Sequence, residues 1–232
     1  MRLLADIQSE KEAGEVLHLQ VKSLYPNIQL KELRDEHKAM SQTPAPRLIQ
    51  LFYETRQQFE HKATFLPKLL LVSPPVRHKG FLKALATDAE AETLYAQLKL
   101  ICALLSDSFS NAETRITVDY SPWLVPEGLE HEGIIKSPTN SALKELLFGC
   151  KMPPHGIVQT HTLYKKDRVV TKLFTEKTLS EAQNTRIAES IIQLQKDCDF
   201  DLMGKGGLDP TTFGGLLPLL LTGQNIALHG IS

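Results

Sequence analysis

The sequence predicts an α+β protein, with a mainly helical N-terminal half and a C-terminal half built on an antiparallel hairpin or sheet packed by helices. Two observations set that class. In the first half apolar residues recur at three- and four-residue spacing, behind Ser or Thr residues followed three positions later by Glu. In the second half β-prone runs alternate with turn residues.

Ser9 and Glu12 form the first capping box, opening a helix with Ala13, Val16, Leu17 and Leu24 mostly on one face. Pro26 stops it, because proline disfavours helical geometry in the residue before it. Asn27 caps a shorter segment carrying Leu30, Leu33 and Met40. Thr43 with Pro44 starts a third helix, whose buried face is Leu48, Leu51, Phe52, Thr55 and Phe59. The run Leu69-Leu70-Leu71-Val72, between Pro67 and Pro74-Pro75, predicts a short strand buried on both faces. Thr87 and Glu90 then open a helix with Ala91, Leu94, Tyr95, Leu98, Ile101, Cys102 and Leu105 at helical spacing. The polar stretch 106–113 divides a mainly α-helical lobe, 1–110, from an α+β lobe, 111–232, unless the two form one continuous domain.

Ile116, Val118 and Tyr120 alternate with polar residues, as in a half-buried strand. A loop carrying Pro122, Trp123, Pro126 and Gly128 follows. Ser137-Pro138 predicts a helix start and Gly149 its end. Runs 157–164 and 169–175, joined by Lys165-Lys166-Asp167-Arg168, predict a hairpin. Its register would set Tyr164 opposite Val169 and His161 opposite Lys172. Thr178 and Glu181 box a helix with Ile187, Ala188, Ile191, Leu194 and Cys198 on one side. Asp209-Pro210 caps a final glycine-containing helix, and 225–231 could form a terminal strand.

Composition narrows the function classes. Hydrophobic residues are 42% of the 232-residue chain and charged residues 23%, ordinary globular usage. Lys plus Arg number 26 against 27 Asp plus Glu, so no overall field steers the chain to nucleic acid or an anionic membrane, while local patches stay open. Three scattered cysteines without a CxxC pair suit a reducing, cytoplasmic setting. The opening residues, interrupted by Asp6, do not read as a secretory signal. The longest apolar run, 213–221, is too short for a transmembrane segment.

Four constellations could carry function. Asp197, Asp199 and Asp201 beside Gly204-Lys205-Gly206-Gly207 would share a face in an extended segment and offer hard oxygens to Mg²⁺ or Mn²⁺. Neither the calcium-loop nor the phosphate-loop pattern is completed there. Lys165, Lys166, Arg168, Lys172 and Lys177 beside Tyr164 form a basic patch that could face a single-stranded nucleic acid, though a solvated hairpin tip reads the same way. Cys150 with His155 or His161 could form a thiol site if folding brought them together. The apolar segment Phe213, Leu216, Leu217, Leu219 and Leu220, with Pro218 inside it, is either a fully buried core element or a surface for another subunit. Trp123 joins it as an aromatic anchor in a turn-rich loop.

No cofactor fingerprint, zinc spacing or catalytic signature is present. The function expected is therefore a non-enzymatic protein–protein interaction subunit or adaptor, of the kind found among accessory subunits and effectors of bacterial secretion machinery. Its partners would be other protein subunits. The alternative is a small metal-dependent transferase or hydrolase using Asp197, Asp199 and Asp201.

Overall fold

The computed structural model describes residues 40–166, 168–197, 199–208 and 214–222. The expected helices between Ser9 and Met40, the Asp209-Pro210 cap, Phe213 and the strand at 225–231 lie outside these residues. Within them the α+β class holds: a helical layer covers one face of a six-stranded mixed sheet.

Helix α1 (Ala45–Lys62) buries Leu48, Phe52 and Phe59 of the expected stripe, while Leu51 and Thr55 are half-buried and Ile49 and Arg56 are buried in addition. Two short 3₁₀ turns follow, Leu66–Leu71 and Pro74–Val76, and then α2 (Arg77–Leu85). The strand expected at 69–72 is thus a 3₁₀ turn. Prolines at both ends leave no room for a ladder partner, and three-residue periodicity turns Leu66 and Leu69 inward while Leu70 and Leu71 point out. Helix α3 (Ala89–Phe109) buries Tyr95, Leu98, Ile101, Cys102 and Leu105. Its cap is Asp88, which accepts from Ala91 N at 3.0 Å, while Thr87 turns back to Ala84 O. A carboxylate one residue later displaces the expected Thr87 box, since Asp caps at least as well as Thr and its charge also favours the helix N-terminus.

The sheet runs β1 (Thr114–Asp119), β2 (Leu129–Pro138), β3 (Leu143–Met152), β4 (Gly156–Lys165), β5 (Arg168–Thr175) and β6 (Asp199–Gly207), in that spatial order. All neighbours are antiparallel except β5 and β6, which are parallel and joined by the crossover helix α4 (Glu181–Asp197). The helix expected from Ser137 to Gly149 is instead the end of β2, the turn that follows it and most of β3. Pro138 sits harmlessly at a strand end. Gly149 is a packing glycine rather than a helix stop: a Cβ there would meet Leu216 Cδ1 at 3.2 Å.

The β4–β5 hairpin has the expected register, Tyr164 opposite Val169 and His161 opposite Lys172. Its turn is tighter than expected. Lys165 and Arg168 still pair, so only two residues form the loop, with Lys166 at φ 52°. The box that opens α4 is Ser180 with Gln183, two residues beyond Thr178: Gln183 Oε1 accepts from Ser180 N, and Ser180 Oγ from Gln183 N.

One buried cluster joins the two halves. Phe52, Phe59, Phe81, Tyr95 and Tyr120 meet edge-on or tilted at 5.0–6.4 Å, against Ile116, Val118, Ile134 and Leu147 from the sheet. The free edge of β1 is closed by the end of α3: the hydroxyls of Ser110, its C-cap, and of Ser106 accept the backbone N–H of Ile116 and Val118. A short helix, α5 (Pro218–Leu221), completes the covered side.

Candidate functional site

Strand alternation and register sort the site residues by face. Ile134, Leu147, His161 and Lys172 form one row on the helix-covered face. On the opposite face, Phe148, Thr160, Leu173 and Lys205 form another.

The covered face holds a buried ionic knot. Arg56 of α1 meets Glu132 of β2 at 2.7 Å, with both side chains almost wholly enclosed. The β2–β3 register slips between Leu129 and Glu132, with Glu130 at φ 58°. Glu132 also accepts from Tyr53 OH at 3.2 Å and from the backbone N–H of Leu216 and Leu217 at 2.7 and 3.2 Å. Four donors thus converge on this carboxylate, one at Oε1 and three at Oε2. The Arg56 guanidinium lies over the Phe52 and Tyr53 rings at 5.6 and 4.9 Å. Burial and the Glu132 charge push the Tyr53 phenol far above its ordinary range, so it remains a donor. A cleft of about 280 Å³ opens beside the knot, lined among others by Arg56, Glu132, Gly149, Gln159 and Gly215. Its ionic groups pair with one another, and their work is to hold residues 214–222 against the sheet.

The thiol candidates do not meet. Cys150 is buried on β3, and its register partner Val158 puts it on the face opposite His161. Burial, with the charges of Glu127 and Glu60, pushes its thiol up to about 12. It is protonated at neutral pH, not a thiolate nucleophile. The histidine beside it is His131: a Cβ on Gly128 would lie 3.4 Å from both Cys150 Sγ and His131 Nε2. His131 is engaged in turn, donating from Nε2 to Val125 O at 2.9 Å. His155 pairs with Gln183 in the turn before β4, and His161 hydrogen-bonds Glu145, which Lys136 also approaches at 3.5 Å. Although burial works to raise it, Glu145 is held below its ordinary value by His161 and Lys136.

Asp199 and Asp201 share one side of β6, and Asp201 lies 4.0 Å from Arg168. Asp197 ends α4, and its carboxylate lies outside the described side chains. Among the described residues no three His, Cys, Asp or Glu side chains gather as metal ligands. The basic patch divides. Lys165, Lys166 and Arg168 are exposed at the hairpin tip with Tyr164, Lys172 is half-buried in mid-strand, and Lys177 bonds Pro154 O at the hairpin's other end.

The apolar segment takes the core alternative. Leu216, Leu217 and Leu219 are buried within this chain, Leu220 packs against them, and among the described leucines of the segment Leu221 is the exposed one. Those leucines are therefore spent on holding the fold together, and a partner could reach them only by displacing the segment. Trp123 is half-buried, with its ring tilted against His78 at 4.5 Å and against Phe81 at 5.0 Å.

What sequence reasoning missed is the second face. No described side chain of α4 is buried: Ile187 and Ile191 are half-covered and Ile192 is 59% exposed. The same face of the sheet, on strands away from α4, continues the pattern, with Ile135 and Phe148 half-buried and Leu146 exposed. The signal lay in the composition of α4, where Ile192 falls outside the stripe of Ile187 and Ile191 and widens the apolar arc. Among the described residues no helix is long and apolar enough to cross a membrane. Comparison with family models, curated proteins and solved structures finds no match to this chain.

Proposed function

We propose that this protein is a non-enzymatic interaction subunit or adaptor of a larger assembly, docked to another protein through α4 and the open face of the sheet. One observation carries the reading: a 17-residue amphipathic helix whose described side chains are nowhere buried by its own chain. Covering a large aliphatic side chain is worth about 1.5–3 kcal/mol. Ile187, Ile191, Ile192 and Leu146 forgo much of that in the isolated chain. A partner that covers all four recovers it, while the covered face supplies the rigid support.

The test is the double variant Ile191→Glu, Ile192→Glu, made in the full chain. Its melting temperature should fall only modestly, because Ile192 is largely hydrated and Ile191 is no more than half-covered. Copurification of stoichiometric partners from the native host, scored by quantitative mass spectrometry, should be lost. Unfolding of the variant, or an unchanged partner set, would sink the proposal.

A further inference from the structure

A second surface, on the helical layer, has different chemistry. Residues 61–87 contain no Asp or Glu and five Lys or Arg, in a chain whose net charge is −1. The same segment holds the most exposed large apolar side chain described, Leu71 at 91%, with Leu70 and Val76 each 45% exposed. These residues are held out by construction. The 3₁₀ turn spends Leu66 and Leu69 on the core, Pro67, Pro74 and Pro75 stiffen the backbone, and Arg77 Nε donates to Val72 O at 3.2 Å. Trp123, its ring tilted against His78 of α2, carries Leu124 at 56% exposure onto the same flank.

The charges are available. Lys62 is engaged by Glu90 at 3.0 Å, but Lys68, Lys79 and Lys83 are exposed, and no ion pair to a described carboxylate involves them. Leu70, Leu71 and Val76 project from the turns instead of packing into the core. An exposed apolar turn accompanied by lysines that pair with no described carboxylate matches a deformable, negatively charged surface, in which leucines enter the acyl boundary and ammonium groups stay among the headgroups.

We infer that the 3₁₀ ridge Leu70–Leu71–Val76, with Lys68, Lys79 and Lys83, is a peripheral docking site for an anionic lipid bilayer. It is separate from α4 and from the protein contact proposed there, so either can fail alone. Each basic side chain near such a surface strengthens partitioning about fivefold.

The test is sedimentation of the full chain with vesicles of phosphatidylcholine containing about 30 mol % phosphatidylserine, beside pure phosphatidylcholine. Binding is expected only to the anionic vesicles, and should be largely lost at about 0.5 M salt. The single tryptophan gives a second readout, a blue shift of Trp123 emission on binding. Leu70→Ser with Leu71→Ser should abolish sedimentation, and Lys68→Gln, Lys79→Gln, Lys83→Gln should weaken it about 100-fold at unchanged melting temperature. Four results would overturn the inference: no sedimentation of wild type, equal binding to neutral vesicles, binding that survives both variants, or a ridge that captures a protein but no lipid.

Discussion

Helices α3 and α4 are built on the same plan and live in opposite surroundings. Both are amphipathic, begin at a side-chain cap and pack beside a sheet. In α3 the stripe from Tyr95 through Leu98 to Leu105 is sealed by α1 and the first strands. In α4 the stripe of Ile187 and Ile191 rests on the outer strands and stays half open. Periodicity reports that a face needs cover; it does not report who supplies it. On one side of this sheet the chain covers its own face, and on the other it leaves much of the work undone.

That contrast can be broken experimentally, beginning on the covered side. Arg56→Ala or Glu132→Ala should each cost about 3–5 kcal/mol in denaturant melts, because each strands the other charge in the interior. Arg56→Met combined with Glu132→Leu should recover part of that loss, and a double variant no better than the singles would mean that backbone capping by Glu132 dominates. Leu98→Ala should cost about 2–5 kcal/mol, whereas Ile192→Ala on α4 should stay within about 0.5 kcal/mol. Similar losses at the two positions would erase the distinction between the faces. At the start of α3, Asp88→Ala should lose about 1 kcal/mol and Thr87→Ala clearly less.

The smallest expected effect depends on pH. The carboxyl of Glu145 is held low in the folded chain, so the unfolded chain takes up a proton first as pH falls through its ordinary value of 4.5. The stabilisation is complete above that range and disappears towards the lower folded value. Asp119 adds to the same trend, because Lys99 at 2.6 Å and Ser121 outweigh its burial, although a pair about one-third exposed contributes modestly. In Glu145→Gln the fall of melting temperature between neutral and acid pH should be shallower than in wild type. An identical profile would show that His161 and Lys136 give Glu145 no net preference for its charged form.

The legible parts of the sequence were those in which a local pattern decides the structure. The faces of α1 and α3 followed from spacing, and the β4–β5 register followed from two β-prone runs around a basic turn. Illegible were the places where a distant residue decides. Ser137-Pro138 and Gly149 imitate helix punctuation, but Gly149 is small because Leu216, 67 positions later, presses on it. Leu69–Leu71 look like a strand until the prolines deny them a partner. At the site, His161 was correctly set opposite Lys172, yet its engaged neighbour, Glu145, comes from a strand read as helix. The Arg56–Glu132 knot spans 76 positions, and nothing local marks either residue as buried.

The attachment of residues 214–222 has a consequence for the order of assembly. Glu132 is complete only when Leu216 and Leu217 donate to it across sequence separations of 84 and 85. Until then a carboxylate in the interior has Arg56 and Tyr53 but lacks both amides, and the small surface of Gly149 lies bare. During synthesis α1–α3 and the first four strands emerge long before that segment. Loop closure over such a distance slows the step that depends on it. A nascent chain halted before Gly214 would therefore display its cleft to solvent and to chaperones, and the fold would latch only when Leu216 and Leu217 arrive.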